Sequence, residues 1–454
     1  MLRIPTFYIA TVPIQLSDHF SYRRLFRFVL PSIGMLLFTS IYGVVDGFFV
    51  SNYAGKQAFA AVNLVMPVLM ILGSIGFMFG AGGSALVAAR LGQKKAQEAN
   101  ENFSLIVYSA AICGIAISIV GFLLLKPMME LMGAEGELLE SCLVYGRITL
   151  CSITAYMLQN MFQTFLITAE KPQMGFVVTL IAGMTNIILD FLFVGVFLWG
   201  LKGAAVATVI SECLGGFIPL IYFIRNKNSL LHLGKSHFVP QVLIKTCTNG
   251  ASELLSGIAS SVMGVLYNFQ LMRFSGENGV AAYGVIMYVS FVFFSLFIGY
   301  STGCAPLESY HYGANNRAEL QNLFKKSCRI IGTTSVSLFV LAQIFARPLS
   351  GIFVGYDAEL WNLTEHGFRM CAITFLLGGF CVYASSLFTA LNNGLLSATI
   401  SVSRTVLFET AAVLILPQFL GVNGIWLSIF VTEAAAISLS VFFISSKRKQ
   451  YGYA

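Results

Sequence analysis

Long apolar runs separated by short polar connections occur along almost the whole of the 454-residue chain. Runs such as 64–83 and 280–300 match the roughly 20 residues that a helix needs to cross the hydrocarbon core of a bilayer. A helix satisfies its own backbone hydrogen bonds, so it is the natural element for these spans. The pattern predicts an all-α integral membrane protein with twelve transmembrane helices, at 26–52, 57–88, 103–125, 138–163, 172–198, 203–225, 242–272, 279–312, 326–346, 361–390, 396–418 and 424–445.

Composition excludes a soluble protein of several domains. Hydrophobic residues make up 57% of the chain and charged residues only 10%, far too little charge for a water-exposed surface. The net charge of +7 does not indicate nucleic-acid binding, because Lys and Arg concentrate in the connections on one side of the predicted membrane. The opposite connections carry only Lys56, Lys126, Lys202, Arg273 and Arg347. By the positive-inside rule, we expect a multi-pass protein of the cell membrane with both termini in the cytoplasm.

The chain also matches itself when it is shifted by 221 residues. Without gaps, 55–98 aligns with 276–319, and ten of the 44 positions are identical. The same offset aligns two glutamate pairs and five glycine pairs: Glu98/Glu319, Glu212/Glu433, Gly55/Gly276, Gly82/Gly303, Gly92/Gly313, Gly200/Gly421 and Gly203/Gly424. This repeat predicts two six-helix lobes of parallel orientation, with a cleft between them that can open to either side. A duplicated membrane scaffold without transport is the alternative.

The repeat and the polar stretches divide the chain into five segments. We expect two lobes joined by the longest polar connection, with a short cytoplasmic tail at each end. The predicted segments are an N-terminal tail at 1–24, an N-lobe at 25–225, a cytoplasmic linker at 226–241, a C-lobe at 242–445 and a C-terminal tail at 446–454.

Five oxygen-bearing side chains of the N-lobe are predicted to lie at similar depth in the membrane. Counted at 1.5 Å per residue from the outer turns, they fall about 10–20 Å below the outer surface. They are Asp46, Tyr145, Asn186, Asp190 and Thr208. Asn186 and Asp190 share one helix face because they are four residues apart.

Two neighbouring carboxylates repel each other, and a bound cation or proton relieves the repulsion. Carboxylate, amide and hydroxyl oxygens are hard ligands, so the set suits proton exchange or a Na⁺ ion at Asp46, Asn186 and Asp190, and no soft metal. The alternative is that each acid forms a hydrogen bond between helices. At the 221-residue offset Asp46 aligns with Tyr267 and Asp190 with Ala411, so the C-lobe has no equivalent pair.

Other acids within the spans are weaker candidates. Glu253 lies near the membrane middle, where it could contact substrate or serve as an alternative coupling site, and Glu409 is a second such residue. Arg404 could neutralise either of them, and the sequence does not choose between them. We interpret Glu308 and His311 as a solvated helix end.

The residues resemble the multidrug and toxin extrusion (MATE) family over about 25–443. Five segments show the resemblance: IYGVVDGFFVSNYAG (41–55), AAVNLVMPV (60–68), GGSALVAARLGQKKAQEAN (82–100), TNIILDFLFV (185–194) and GLKGAAVATVISE (200–212). The resemblance implies twelve helices in two lobes, and the export of organic cations in exchange for Na⁺ or H⁺.

In branches of that family with an acidic site in the first lobe, the cation site uses five residue types that match this chain. The resemblance places those roles on Asp46, Tyr145, Asn186, Asp190 and Thr208. Some members instead use a glutamate of the seventh helix, a role that Glu253 would take here.

The sequence therefore predicts a transporter and not an enzyme. The motifs GxxxxGK[ST] and HExxH are absent from the sequence, so an ion gradient is the expected energy source and no cofactor is expected. We expect a monomer in the lipid bilayer that exchanges small cationic, amphipathic molecules for Na⁺ or H⁺. A flippase for lipid-linked precursors and a passive channel are the alternatives; the first would need a large basic cavity, for which only Arg147, Arg369 and Arg404 are available.

Overall fold

A computed structural model describes residues 14–453, so the first part of the predicted N-terminal tail and the final Ala454 lie outside the described residues. The described chain is almost entirely helical. We number the spans α1 to α12, with these bounds: α1 Tyr22–Ala54, α2 Gln57–Gly92, α3 Ala96–Leu131, α4 Gly136–Leu150 with Ile153–Thr168, α5 Pro172–Val196, α6 Gly200–Arg225, α7 and α8 as the two parts of Pro240–Gly313, α9 Arg317–Val354, α10 Ala358–Ala390, α11 Gly394–Leu420 and α12 Val422–Tyr451.

Two irregularities bring the spans of residues 14–453 to twelve. The two parts of α4 meet at a bend of 54°. The 74-residue helical stretch Pro240–Gly313 is interrupted at Gly276, whose φ of 62° and ψ of −153° are not helical, so it forms α7 and then α8. The predicted all-α architecture of twelve helices in two lobes is confirmed, with most helices longer than the sequence indicated.

The repeat predicted from the sequence has a direct structural counterpart in the outer turns. Gly55 and Gly276 both have a positive φ, of 95° and 62°, and Gly200 and Gly421 both have a φ of 56°. This region of backbone space disfavours residues with a Cβ, so the aligned glycines keep the same sharp turn in each lobe. The glycine pairs are therefore explained by backbone geometry.

The lobes meet along one side of the molecule, where glycines allow helices to touch. A Cβ on Gly82 of α2 would lie 2.1 Å from the Thr246 carbonyl oxygen of α7. Near the ends of α2 and α8, a Cβ on Gly92 would lie 2.0 Å from the Tyr310 carbonyl oxygen, and one on Gly313 would lie 2.1 Å from the Ala89 carbonyl oxygen. We call this contact the inner seam.

Both ends of the described chain lie on the side of the inner seam, which the sequence predicts to be cytoplasmic. Phe20 is fully buried, and its backbone N–H donates to Glu319 Oε1 at 2.8 Å. At the other end, the fully buried Tyr453 donates its hydroxyl hydrogen to the Ile444 carbonyl oxygen at 2.9 Å. Segments adjoining both termini are thus packed against the lobes.

Glycines farther from the inner seam make no such close approach. Gly43 of α1 and Gly264 of α7 occupy equivalent repeat positions, and a Cβ on either would meet no atom within 4 Å. By contrast, Ser309 and Asn249 make hydrogen bonds across the inner seam, to the Ala85 carbonyl oxygen at 2.8 Å and the Gly82 carbonyl oxygen at 3.5 Å. The two lobes are therefore in direct contact on the inner side.

Candidate cation site in the N-lobe

The two acids of the predicted site lie next to irregular helical turns. Asp46 belongs to the last turn of the regular part of α1, which continues as the π-helical turn Val50–Ala54. Asp190 is the last regular residue of α5 before a second π-helical turn, Phe191–Val196. Such turns are rare and are frequently found at functional sites, because the extra residue changes the direction of the side chains that follow.

Close packing of α5 on α1 brings the two carboxyl groups together. The absence of a side chain at Gly183 permits this approach, since a Cβ there would lie 2.5 Å from the Phe38 ring and 2.8 Å from the Tyr42 ring. The carboxyl groups of Asp46 and Asp190 lie side by side, near enough for a hydrogen bond when one of them carries a proton.

The acidic pair is buried with its oxygens unpaired. Asp190 is fully buried, and neither of its carboxyl oxygens has a hydrogen-bond partner within residues 14–453. The same holds for Asp46 Oδ1 and for the amide oxygen Asn186 Oδ1. Such atoms are costly to leave unsatisfied, so each is available to a ligand.

The remaining two residues complete the wall of the site. Tyr145 of α4 is buried, and its hydroxyl lies beside Thr208 of α6 and close to both acids. Thr208 donates its own hydroxyl hydrogen to the Ala204 carbonyl oxygen at 3.1 Å, which leaves the hydroxyl oxygen free to accept or to coordinate. The structure therefore brings the five residues of the sequence-based prediction to one place.

A second polar contact, between Ser152 and Glu212, adjoins this site. Ser152 Oγ donates to Glu212 Oε2 at 2.5 Å. The bend in α4 falls directly before Ile153 and turns Ser152 toward α6. Glu212 is close enough to Asp46 for the two charges to interact. Glu212 is visible in the sequence as an intramembrane acid, whereas Ser152 has no sequence signal apart from its place at the break.

In the C-lobe, Arg404 pairs with a different acid from the two that we expected. Its Nε and Nη2 donate to Glu433 Oε1 at 2.8 and 2.5 Å, so neither Glu253 nor Glu409 is its primary partner. Helix packing explains this pairing: the π-helical turn Ser403–Phe408 in α11 directs Arg404 toward α12, which carries Glu433. Glu409 lies instead beside the Tyr267 hydroxyl, and Glu253 has no ion pair in the described part of the chain.

The pairing explains why the two lobes differ in charge. Glu433 and Glu212 are equivalent in the repeat, but Arg404 falls on the position of Gly183 in the N-lobe. An arginine therefore neutralises the C-lobe acid, whereas at the same position the N-lobe has the glycine that lets α5 approach α1. The N-lobe is left with an acidic cluster.

The interpretation of Glu308 and His311 as a solvated helix end is wrong. Both side chains are 1% exposed. The chain segment before α1 folds over the inner end of α8, where the Phe20 ring packs edge-on against the His311 ring with centroids 6.4 Å apart. The positions of Glu308 and His311 in the sequence indicate how deep they lie in the membrane. They do not indicate that the chain segment before α1 covers this end of α8.

Two pseudo-symmetric six-helix lobes, with two acids at membrane depth in one lobe that have no counter-charge, are typical of a secondary transporter. A family model described as MatE matches residues 31–192 and 254–413, one match in each lobe. The chain belongs to the MatE family of membrane transporters, as the sequence resemblance implied.

Curated relatives and solved structures agree with this assignment over nearly the full length. The chain is 23% identical over 411 residues to the multidrug export protein MepA of Staphylococcus saprophyticus, covering 89% of this chain and 88% of that protein. It is 23% identical to MepA of Staphylococcus haemolyticus, with 94% of each chain covered.

Solved structures share the fold. One of a MATE protein in complex with MaL6 has a TM-score of 0.91 at 20% identity and covers 97% of this chain and 100% of its own. The outward-facing conformation of a multidrug resistance MATE family transporter has a TM-score of 0.90 at 22% identity and covers 97% and 99%.

Proposed function

We propose that this protein is a secondary antiporter that exports cationic, amphipathic drugs or toxins in exchange for H⁺ or Na⁺. The observation that carries the proposal is the pair Asp46 and Asp190, buried side by side with unpaired oxygens. The family membership and the likeness to multidrug export proteins support the substrate class.

The energetics of the pair favour an exchangeable cation. An ionised carboxylate in the membrane costs several kcal/mol unless a partner compensates its charge. No Lys, Arg or His of residues 14–453 forms an ion pair with either acid. The site can therefore become neutral by protonation, or bind a Na⁺ ion through the oxygens of Asp46, Asn186 and Asp190, which are hard ligands.

The two related lobes and the seam that closes them on the inner side support alternating access. A substrate between the lobes and a cation in the N-lobe would each favour different arrangements of the lobes. Two ligands with opposite preferences exchange by thermodynamic linkage, so cation binding to Asp46 and Asp190 releases the exported molecule outward.

The flippase alternative is disfavoured by the positions of the three basic residues. Arg404 is held by Glu433, Arg369 is paired with Glu365 at 2.9 Å, and Arg147 lies over the Phe122 ring at 5.5 Å from its centroid. Each guanidinium already has a partner, so the three do not form a basic cavity for a phosphorylated lipid.

Transport in proteoliposomes tests the proposal when Na⁺ and pH gradients are imposed one at a time. We expect accumulation of a fluorescent organic cation against its own gradient with one imposed gradient and only leakage without either. Equilibration at the same rate under all conditions would indicate a passive channel. No movement of the cation, with scrambling of labelled lipid, would indicate a flippase.

A further inference from the structure

Five polar side chains form a buried cluster in the C-lobe near the inner seam. Three belong to α8, one to α9 and one to α10: Tyr300, Cys304, Glu308, Ser327 and Tyr383. None of them belongs to the N-lobe cation site. We call this set the C-lobe polar cluster.

Glu308 is the acceptor at the centre of the C-lobe polar cluster. Its Oε1 accepts a hydrogen bond from the Tyr383 hydroxyl and a weaker one from Cys304 Sγ at 3.6 Å. The Tyr300 hydroxyl and Ser327 Oγ pair with each other at 2.8 Å beside it. These contacts fix the carboxyl group through one of its oxygens.

The second oxygen of Glu308 is buried without a partner. The residue is 1% exposed, and Oε2 has no hydrogen-bond partner in the described chain. The other titratable groups that face Glu308 are Tyr300 and Cys304 of α8, Cys328 of α9 and Tyr383 of α10, and none of these carries a positive charge. Across residues 14–453 no Lys, Arg or His lies within ion-pair distance of Glu308.

The repeat shows that packing alone does not require this cluster. At the 221-residue offset, the N-lobe has an apolar residue or glycine at all five positions: Phe79, Gly83, Val87, Ile106 and Phe162. Equivalent positions also contact each other in both lobes. In the C-lobe, Cys304 Sγ lies 3.6 Å from Ser327 Oγ. In the N-lobe, a Cβ on Gly83 would lie 3.1 Å from Ile106 Cδ1. The same scaffold is thus filled by apolar residues in one lobe and by a carboxyl group with hydroxyls and a thiol in the other.

The contacts of Glu308 favour a proton over a metal cation as its ligand. A metal ion needs several converging oxygens, whereas the Tyr383 hydroxyl and the Cys304 thiol both direct hydrogens toward Oε1. A proton on Oε2 removes the buried charge and leaves Oε1 able to accept both hydrogen bonds. We propose that Glu308 is a proton-binding site of the C-lobe, separate from the cation site at Asp46 and Asp190.

The inner side is the route by which this proton is exchanged. The hydroxyl of the next residue, Ser309, lies within hydrogen-bond distance of the carbonyl oxygens of Ala85, at 2.8 Å, and Ala390, at 2.6 Å, so Glu308 adjoins the inner seam. Opening of the inner seam would admit water to the C-lobe polar cluster.

The proposal that Glu308 binds a proton does not depend on whether Asp46 and Asp190 couple transport to a cation.

Infrared difference spectroscopy of the full-length protein in lipid vesicles tests the proposal without transport. We expect the wild-type spectrum to contain a protonated-carboxyl band at neutral pH that Glu308→Gln removes and alkaline pH bleaches. Tyr383→Phe should shift that band because it removes a hydrogen bond to Oε1. The exposed-acid control Glu359→Gln should leave it unchanged.

Thermal unfolding provides a second readout that does not depend on band assignment. Because the folded protein holds the proton more tightly than the unfolded chain, the wild type should lose stability as pH rises, and Glu308→Gln should remove that part of the dependence. A band and a stability profile unaffected by Glu308→Gln would overturn the proposal. So would loss of the band on addition of Na⁺ at constant pH, since it would identify a cation site.

Discussion

Replacement of Asp190 by asparagine is expected to abolish cation-coupled export while the protein remains folded. The change keeps the size of the side chain but removes a buried charge whose two oxygens have no partner. Loss of the coupling charge should lower the initial rate of drug efflux by at least about tenfold, the effect of roughly 1.4 kcal/mol. Efflux from cells that express equal amounts of each variant measures this directly.

The thermal stability of the Asp190→Asn variant shows whether a loss of efflux could be due to unfolding. Thermal stability should be equal to or above that of the wild type at neutral pH, because an uncompensated buried charge has been removed. Glu365→Gln, which changes a partly exposed acid paired with Arg369 at 2.9 Å, is the matched control and should retain efflux. Full efflux by a folded Asp190→Asn variant would contradict the role of this residue.

Replacement of Arg404 by glutamine is expected to destabilise the C-lobe more than any exposed charge change. The substitution leaves Glu433, which is 2% exposed, without its counter-charge. Breaking a fully buried ion pair costs about 3–5 kcal/mol, and because the Arg404 side chain is 27% exposed we expect the lower end of that range. Thermal unfolding of purified protein in detergent should show a large decrease in the transition temperature.

A double variant separates the charge effect from lost packing. Arg404→Gln combined with Glu433→Gln should recover much of the loss, because no uncompensated charge remains. Arg369→Gln breaks the more exposed pair with Glu365 and should cost at most about 1 kcal/mol. Equal losses for Arg404→Gln and Arg369→Gln would show that the C-lobe pair has no special role.

The sequence was sufficient to predict the architecture and five side chains that lie together in the N-lobe. Twelve apolar runs and the glycine pairs predict the spans and their repeat, because bilayer thickness and positive-φ turns constrain the residues directly. The depth of Asp46 and Asp190 could be counted from the outer turns. That count does not give helix rotation, and their contact depends on the close approach at Gly183.

The side chains that pair with each other within the membrane could not be predicted from the sequence in the same way. Arg404 pairs with Glu433, 29 residues further along the chain, and not with Glu409, which is nearer in sequence. The π-helical turn that directs Arg404 has no recognisable composition. The position of Glu308 near the end of a span suggests contact with solvent, whereas Tyr383 and the segment around Phe20 enclose that end.

The most direct test of the central claim is the dependence of drug affinity on cation concentration. The Kd of a fluorescent organic cation is measured by equilibrium binding to purified protein, with pH and Na⁺ concentration varied separately. If drug and cation are linked through Asp46 and Asp190, the wild-type Kd should rise with the coupling cation, and the Asp46→Asn/Asp190→Asn double variant should bind independently of both. An unchanged cation dependence in that folded double variant would contradict the account.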